Sequence, residues 1–167
     1  MNLTTDLGTK ELIIDFTVDD IKWPGGEALF NWWNSARGSR KFPAREDFSP
    51  LVMPSFLSSI ILYEINGGGQ KYAIKLAGSA IADLMGFDPT GVWLSDLPGT
   101  ENQCGRFDWV EANKAPYICM DIPAVWANKE FKTYSTLVMP LGPSDDKVTM
   151  LITSVFFERN KAALEML

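Results

Sequence analysis

The run Val148-Thr149-Met150-Leu151-Ile152-Thr153-Ser154-Val155-Phe156-Phe157 carries no charge. Successive strand residues point to opposite faces, so a strand with one wet face shows a polar residue at every second position. This run does not. It predicts a central strand covered on both sides. The chain must therefore place layers on two sides of one sheet. With 167 residues it suits a single domain with a sizeable core.

The other strands are set by period and punctuation. Residues 60–65 are β-rich and stop at Asn66-Gly67-Gly68-Gly69, a hairpin signal. The return strand, 71–77, alternates: Tyr72, Ile74 and Leu76 share one face, and Lys71, Ala73 and Lys75 the other. Residues 117–127 and 131–141 form two more strands joined by a loop at 128–130. Pro123 fits only an edge or a bulge there. Helices are predicted at 27–37, 79–85 and 101–114. Gly38 and Gly86 stand at C-terminal cap positions, and Pro116 stops the third helix. Ser49-Pro50 opens a short helix, Pro54 opens a further turn, and 158–167 is read as a terminal helix. The result is α+β: a five-stranded antiparallel sheet with helices on one face. The helix bearing Trp32 and Trp33 covers the other face, a dimer partner being the alternative cover. The expected divisions are an N-terminal arm and helical extension at 1–56, a domain at 57–158, and a tail helix at 159–167.

Composition then removes function classes. The chain has no histidine, which excludes Ser-His-Asp, Cys-His and HExxH chemistry and a His-ligated haem. Fifteen Lys+Arg against twenty-one Asp+Glu leave a net charge of −6. The single basic cluster, Arg37-Gly38-Ser39-Arg40-Lys41 with Arg45, is a surface loop, so no nucleic-acid partner is expected. Cys104 and Cys119 fit a reducing compartment and do not stand at metal-ligand spacing, so no metal is expected. The start lacks a signal-peptide pattern, and no apolar stretch approaches membrane-spanning length. The expectation is a cytoplasmic protein with no membrane partner.

The order of elements resembles a PAS domain. Gly78-Ser79-Ala80-Ile81-Ala82-Asp83-Leu84-Met85-Gly86-Phe87-Asp88 is similar to its second-strand-to-helix region. Thr90-Gly91-Val92-Trp93-Leu94-Ser95-Asp96-Leu97 is similar to the next stretch of the family, G-x-x-L-x-D-L. Trp33, Arg37-Gly38, Pro43-Ala44-Arg45-Glu46-Asp47 and Pro50 extend the likeness to a bacterial subfamily of stand-alone PAS proteins with an N-terminal helical extension. The resemblance implies a sensor or adaptor with no catalytic residues. It would bind a small molecule between sheet and helices or a protein partner, with a homodimer through N-terminal helices, and signal in trans to a regulatory protein partner.

Asn102-Gln103-Cys104-Gly105-Arg106-Phe107 resembles the Asn-Cys-Arg-Phe run of flavin-binding photosensory PAS domains. Gln103 precedes the Cys, Gly105 separates it from the Arg, and only Asn128 stands near the later flavin partners. These departures argue against flavin. Haem would have to use Met, Cys or Tyr, with no supporting spacing. No cofactor is expected, and a metabolite is the proposed occupant. The inward face should hold Tyr72, Ile74 and Leu76, then Ile81, Leu84 and Met85, with Arg106, Trp109, Tyr117, Trp126, Tyr134 and Thr153 as polar anchors. An arginine there suits a carboxylate or phosphate. The same residues would also serve as plain core filling.

Trp32 and Trp33 are the interface candidates, because consecutive helical residues cannot both face one core. The competing arrangement seats one on the sheet and the other over a loop. Arg45 and Asp47 read as a turn-fixing pair, with Asp47 capping the turn near Ser49. The alternative function is a small His-free enzyme using Asp83, Asp108 or Asp121 with Tyr134 or Lys132 as acid-base pair. Carboxylates clustered in the cavity favour the enzyme; a cavity with one or two anchors favours the sensor.

Overall fold

A computed structural model describes residues 2–3, 12–67, 69–124 and 129–159. The strands are β1 (Asn2–Leu3), β2 (Leu12–Ile13), β3 (Ile60–Ile65), β4 (Tyr72–Ala77), β5 (Tyr117–Ala124), β6 (Lys129–Leu141) and β7 (Met150–Arg159). The helices are α1 (Pro24–Arg37), α2 (Ser79–Met85) and α3 (Glu101–Asn113). The strands form one antiparallel sheet in the order β1-β2-β5-β6-β7-β3-β4. Among the described residues the expected five strands thus become seven. β1 and β2 have two residues each, too short for any period to mark them.

Residues 150–157 of the uncharged run lie in the central strand it predicted, while Val148 and Thr149 precede it. β7 pairs with β6 on one side and β3 on the other. Residues 151–155 along it are all buried. Its faces have different covers. Ser154 accepts a hydrogen bond from Trp23 Nε1 at 2.9 Å, just ahead of α1. Thr153 and Val155 face α3 across the sheet. α1 therefore covers one face, and α2 and α3 the other, as alternation requires.

α1 starts earlier than the expected 27–37. Pro24 sits in its first turn, where a missing N–H costs nothing. Gly25-Gly26, ahead of the expected helix, forms its first turn. A Cβ on Gly26 would lie 2.6 Å from the Trp23 ring, so the glycine permits that ring's approach. At its far end Trp33 Nε1 donates to the carbonyl of Pro140 at 3.0 Å in the buried interior. Trp32 points elsewhere and meets Phe48 edge-on at 5.2 Å. One ring packs on the sheet and its neighbour covers the loop.

The segment from 45 to 59 is a series of 3-10 turns. Ser49 accepts from the Leu51 N–H, as an N-cap should. Asp47 does not cap that turn. Its carboxylate accepts from the Ala44 N–H at 2.9 Å and from Arg40 at 2.9 Å, closing the preceding turn. The Ala44 N–H holds its pKa below the ordinary value, and Arg40 adds to this. α2 spans the expected residues and ends on Gly86 at φ 83, the left-handed cap. Glu158 and Arg159 belong to β7 instead of opening a helix. The remaining tail, 160–167, lies outside the described residues, as do Trp126 and Asn128.

One correction reaches the site. Tyr63 pairs with Ile74, but Leu62 pairs with Leu76, so Lys75 is an extra residue in β4. Such a bulge reverses the facing of the residues beyond it. Leu76 therefore leaves the face of Tyr72 and Ile74. It is 39% exposed and lines an outer groove with Leu62, Glu64 and Met150.

Candidate functional site

α3 places its groups by helical spacing. Gln103, Arg106, Phe107 and Val110 fall at i, i+3, i+4 and i+7 and face the sheet. Thr100 secures the approach to the helix, donating from Oγ1 to the carbonyls of Leu94 and Leu97 at 2.8 and 3.0 Å. Phe107 meets Tyr63 and Tyr72 edge-on at 4.8 and 5.2 Å. Lys114 ends the helix in the left-handed region at φ 55.

On the opposite side of α3, Lys71 Nζ reaches Asp108 and Glu111 at 2.9 Å each. Tyr72 OH donates to the same Asp108 oxygen at 2.5 Å. Burial and the Asp108 carboxylate hold the Tyr72 phenol far above its ordinary range. Burial opposes the charge of Lys71, but Asp108 and Glu111 outweigh it and raise its pKa. Together these contacts latch α3 to β4. Asp108→Ala should cost about 1 kcal/mol in urea unfolding, since it strips a tyrosine of a charged acceptor. Glu111→Gln, removing only a half-exposed ion pair, should cost less than about 0.5 kcal/mol. Equal costs would show that Tyr72 contributes nothing to the latch.

Between α3 and the sheet lies a cavity of about 10 Å³ lined by Ile61, Tyr63, Gln103, Arg106, Phe107, Tyr117, Tyr134, Thr136, Thr153 and Val155. That is room for about one water. A second, also about 10 Å³, is lined by Ile61, Tyr63, Ile74, Ile81, Met85, Leu94, Leu97 and Gln103. The two share Ile61, Tyr63 and Gln103. Gln103 Nε2 donates to Tyr63 OH at 3.4 Å, the long end of a hydrogen bond.

The electrostatics of the first cavity are unusual. Arg106 is 4% exposed. Among the described residues its Nε has no hydrogen-bond partner, and neither does the fully buried Tyr117 hydroxyl. No described carboxylate forms an ion pair with Arg106. Burial works against the guanidinium charge, and Tyr117, Tyr134 and Cys119 raise its pKa chiefly as anions at high pH, which leaves the charge at pH 7 without a counter-ion among the described residues. The Arg106 and Tyr117 side chains lie close enough for a weak hydrogen-bonding influence on each other's ionisation, but the contact falls short of full hydrogen-bond geometry at Nε and at the hydroxyl. Burial also pushes the Tyr63 and Tyr117 phenols well above their ordinary range, so both are neutral at pH 7. The cation thus sits among neutral groups.

Of the expected pocket residues, Arg106, Tyr117, Tyr134 and Thr153 meet in the first cavity, and Ile74, Ile81 and Met85 in the second. Tyr72 is buried but directs its hydroxyl to the latch. Leu84 is half-buried and Leu76 faces outward; neither lines a cavity. Trp109 lies in a separate cleft of about 310 Å³ with Phe16, Phe30, Trp33 and Asn113. Trp126 is outside the described residues. Ile61, Tyr63, Gln103, Phe107, Thr136 and Val155 complete the first cavity. Their signal is present in the sequence: 61 and 63 alternate, and 103 stands one helical turn before 106.

No described Asp or Glu lines either cavity. Asp83 and Asp121 are exposed, and Asp108 is engaged in the latch. Among the described residues, no group of three or more His, Cys, Asp or Glu could hold a metal ion. None of the helices there is long and apolar enough to cross a membrane. A protein-family model for the PAS domain matches residues 21–155. No curated protein matches the chain.

Proposed function

This chain belongs to the PAS domain family, whose members are sensory or signalling domains, and on that premise we propose a sensor that binds a small molecule between the sheet and α3. The observation carrying this reading is Arg106, a buried guanidinium with an unpaired Nε beside an unpaired Tyr117 hydroxyl. Buried polar groups are nearly always satisfied, and an orphaned pair calls for a specific reason. A bound ligand supplies one. That no described carboxylate lines either cavity weighs against the acid-base enzyme.

Signalling would proceed by population shift. The unliganded cavities are nearly closed, so ligand favours a state in which α3 stands further from the sheet. The latch through Lys71 and Tyr72 couples that displacement to β4. The output would pass to a regulatory protein partner or a second copy of the chain in the cytoplasm. Native mass spectrometry of freshly purified protein tests the reading and reports the oligomeric state with it. A discrete added mass, lost on denaturation, is expected. A bare mass together with an unmoved melting temperature across a metabolite panel would overturn it.

A further inference from the structure

Resting on that reading of the pocket, we propose that its ligand is a short amphipathic monocarboxylate, with the carboxylate on Arg106 and Tyr117 and the hydrocarbon tail in the second cavity. Two free donors converge on the first cavity, the Arg106 Nε–H and the Tyr117 O–H. Two donors require an acceptor, and the uncompensated guanidinium asks that it be negative. Planar guanidinium matches planar carboxylate, and charge-assisted bonds of this kind are the strong ones. Around Arg106, the described residues of β5, β6 and β7 contribute neutral groups: Tyr117, Cys119, Tyr134, Thr136 and Thr153.

The second cavity sets the rest of the molecule. Ile61, Ile74, Ile81, Leu94 and Leu97 make it apolar. A second carboxylate would lie there without a partner, which argues against dicarboxylates. A phosphate dianion would exceed the single positive charge available. Gln103 stands between the two spaces on its long bond to Tyr63. Rotation of Gln103 away from Tyr63 joins them. Met85, half-buried and unbranched, can yield to a chain as it enters. The joined space offers a charged end and a greasy end, with little room for bulk.

Thermal-shift and calorimetric titration with hexanoate, hexanamide, hexylamine and sodium chloride, on wild type, Arg106→Gln and Tyr117→Phe, tests the assignment. Hexanoate should bind, with hexanamide at least about tenfold weaker and hexylamine not at all. Arg106→Gln should weaken hexanoate at least about tenfold and leave hexanamide unchanged; Tyr117→Phe should weaken hexanoate by a smaller factor. Hexanamide or hexylamine binding as well as hexanoate would overturn the carboxylate while the pocket stands. Chloride matching hexanoate would overturn the tail. Failure of all four probes overturns the inference; the pocket reading falls only if freshly purified protein also carries no added mass.

Discussion

Trp33→Ala lowers the unfolding free energy by about 3–5 kcal/mol, while Trp32→Ala lowers it by only about 1 kcal/mol. Trp33 is 5% exposed, stacks on Phe30 at 6.3 Å, and donates to the Pro140 carbonyl at 3.0 Å. Alanine removes the ring and leaves that carbonyl without its donor. It also enlarges the neighbouring cleft, of which Trp33 is one wall. The surroundings cannot collapse to fill it, because Pro140 lies within the β6–β7 ladder. Trp33→Phe separates the contributions: packing largely survives, the hydrogen bond to the Pro140 carbonyl does not, and about 1–2 kcal/mol is lost. Trp32 is half-buried against Phe48, so its loss uncovers a loop and leaves the sheet intact. Urea unfolding with an unchanged m-value checks all three variants. Equal costs for Trp32→Ala and Trp33→Ala would contradict the assignment of one ring to the sheet and one to the loop.

How much of the molecule is legible in its sequence depends on how local each cause is. The α2 boundaries, the Ser49 cap and the central place of β7 come from signals within a few residues, and all are present as read. The errors come from partners distant in sequence. Gly25-Gly26 looks like a helix breaker until the Trp23 ring is seen where a side chain would be. Leu76 obeys the alternation of β4 only if no bulge intervenes, and the bulge is set by pairing with Leu62 and Tyr63. Asp47 has two turns within reach and serves the one that also brings Arg40. Trp109 stands one turn beyond Arg106, and spacing alone places the two side by side. The buried stripe of α3 runs through Arg106, Phe107 and Val110, and Trp109 stands on its flank, toward α1. Arg106 itself is recognisable as an anchor. Its lack of a counter-charge is not, since that depends on everything packed around it.

Arg106→Met raises the stability of the ligand-free protein, by about 2 kcal/mol, the reverse of what most core substitutions do. A buried ion pair replaced by packed apolar groups is often neutral or gains stability, and here no pair exists to lose. The guanidinium gives up hydration on folding, and its Nε recovers no hydrogen bond. Methionine keeps the unbranched length of the stem and adapts to irregular space. For a chain of 167 residues the gain corresponds to a rise of roughly 4–8 °C in the melting temperature. Arg106→Ala would not show it, because the cavity it opens offsets the relief. Destabilisation of Arg106→Met by more than about 1 kcal/mol would mean that the wild-type charge is compensated within the fold, and the argument for an anionic ligand would lose its basis. The sign should also reverse under saturation. Ligand stabilises the wild type by RT ln(1 + [L]/Kd), about 2.7 kcal/mol at one hundred times Kd. The variant, lacking the anchor, receives little of this. A group that costs stability when the pocket is empty and returns it when the pocket is filled serves binding, at the expense of the empty fold.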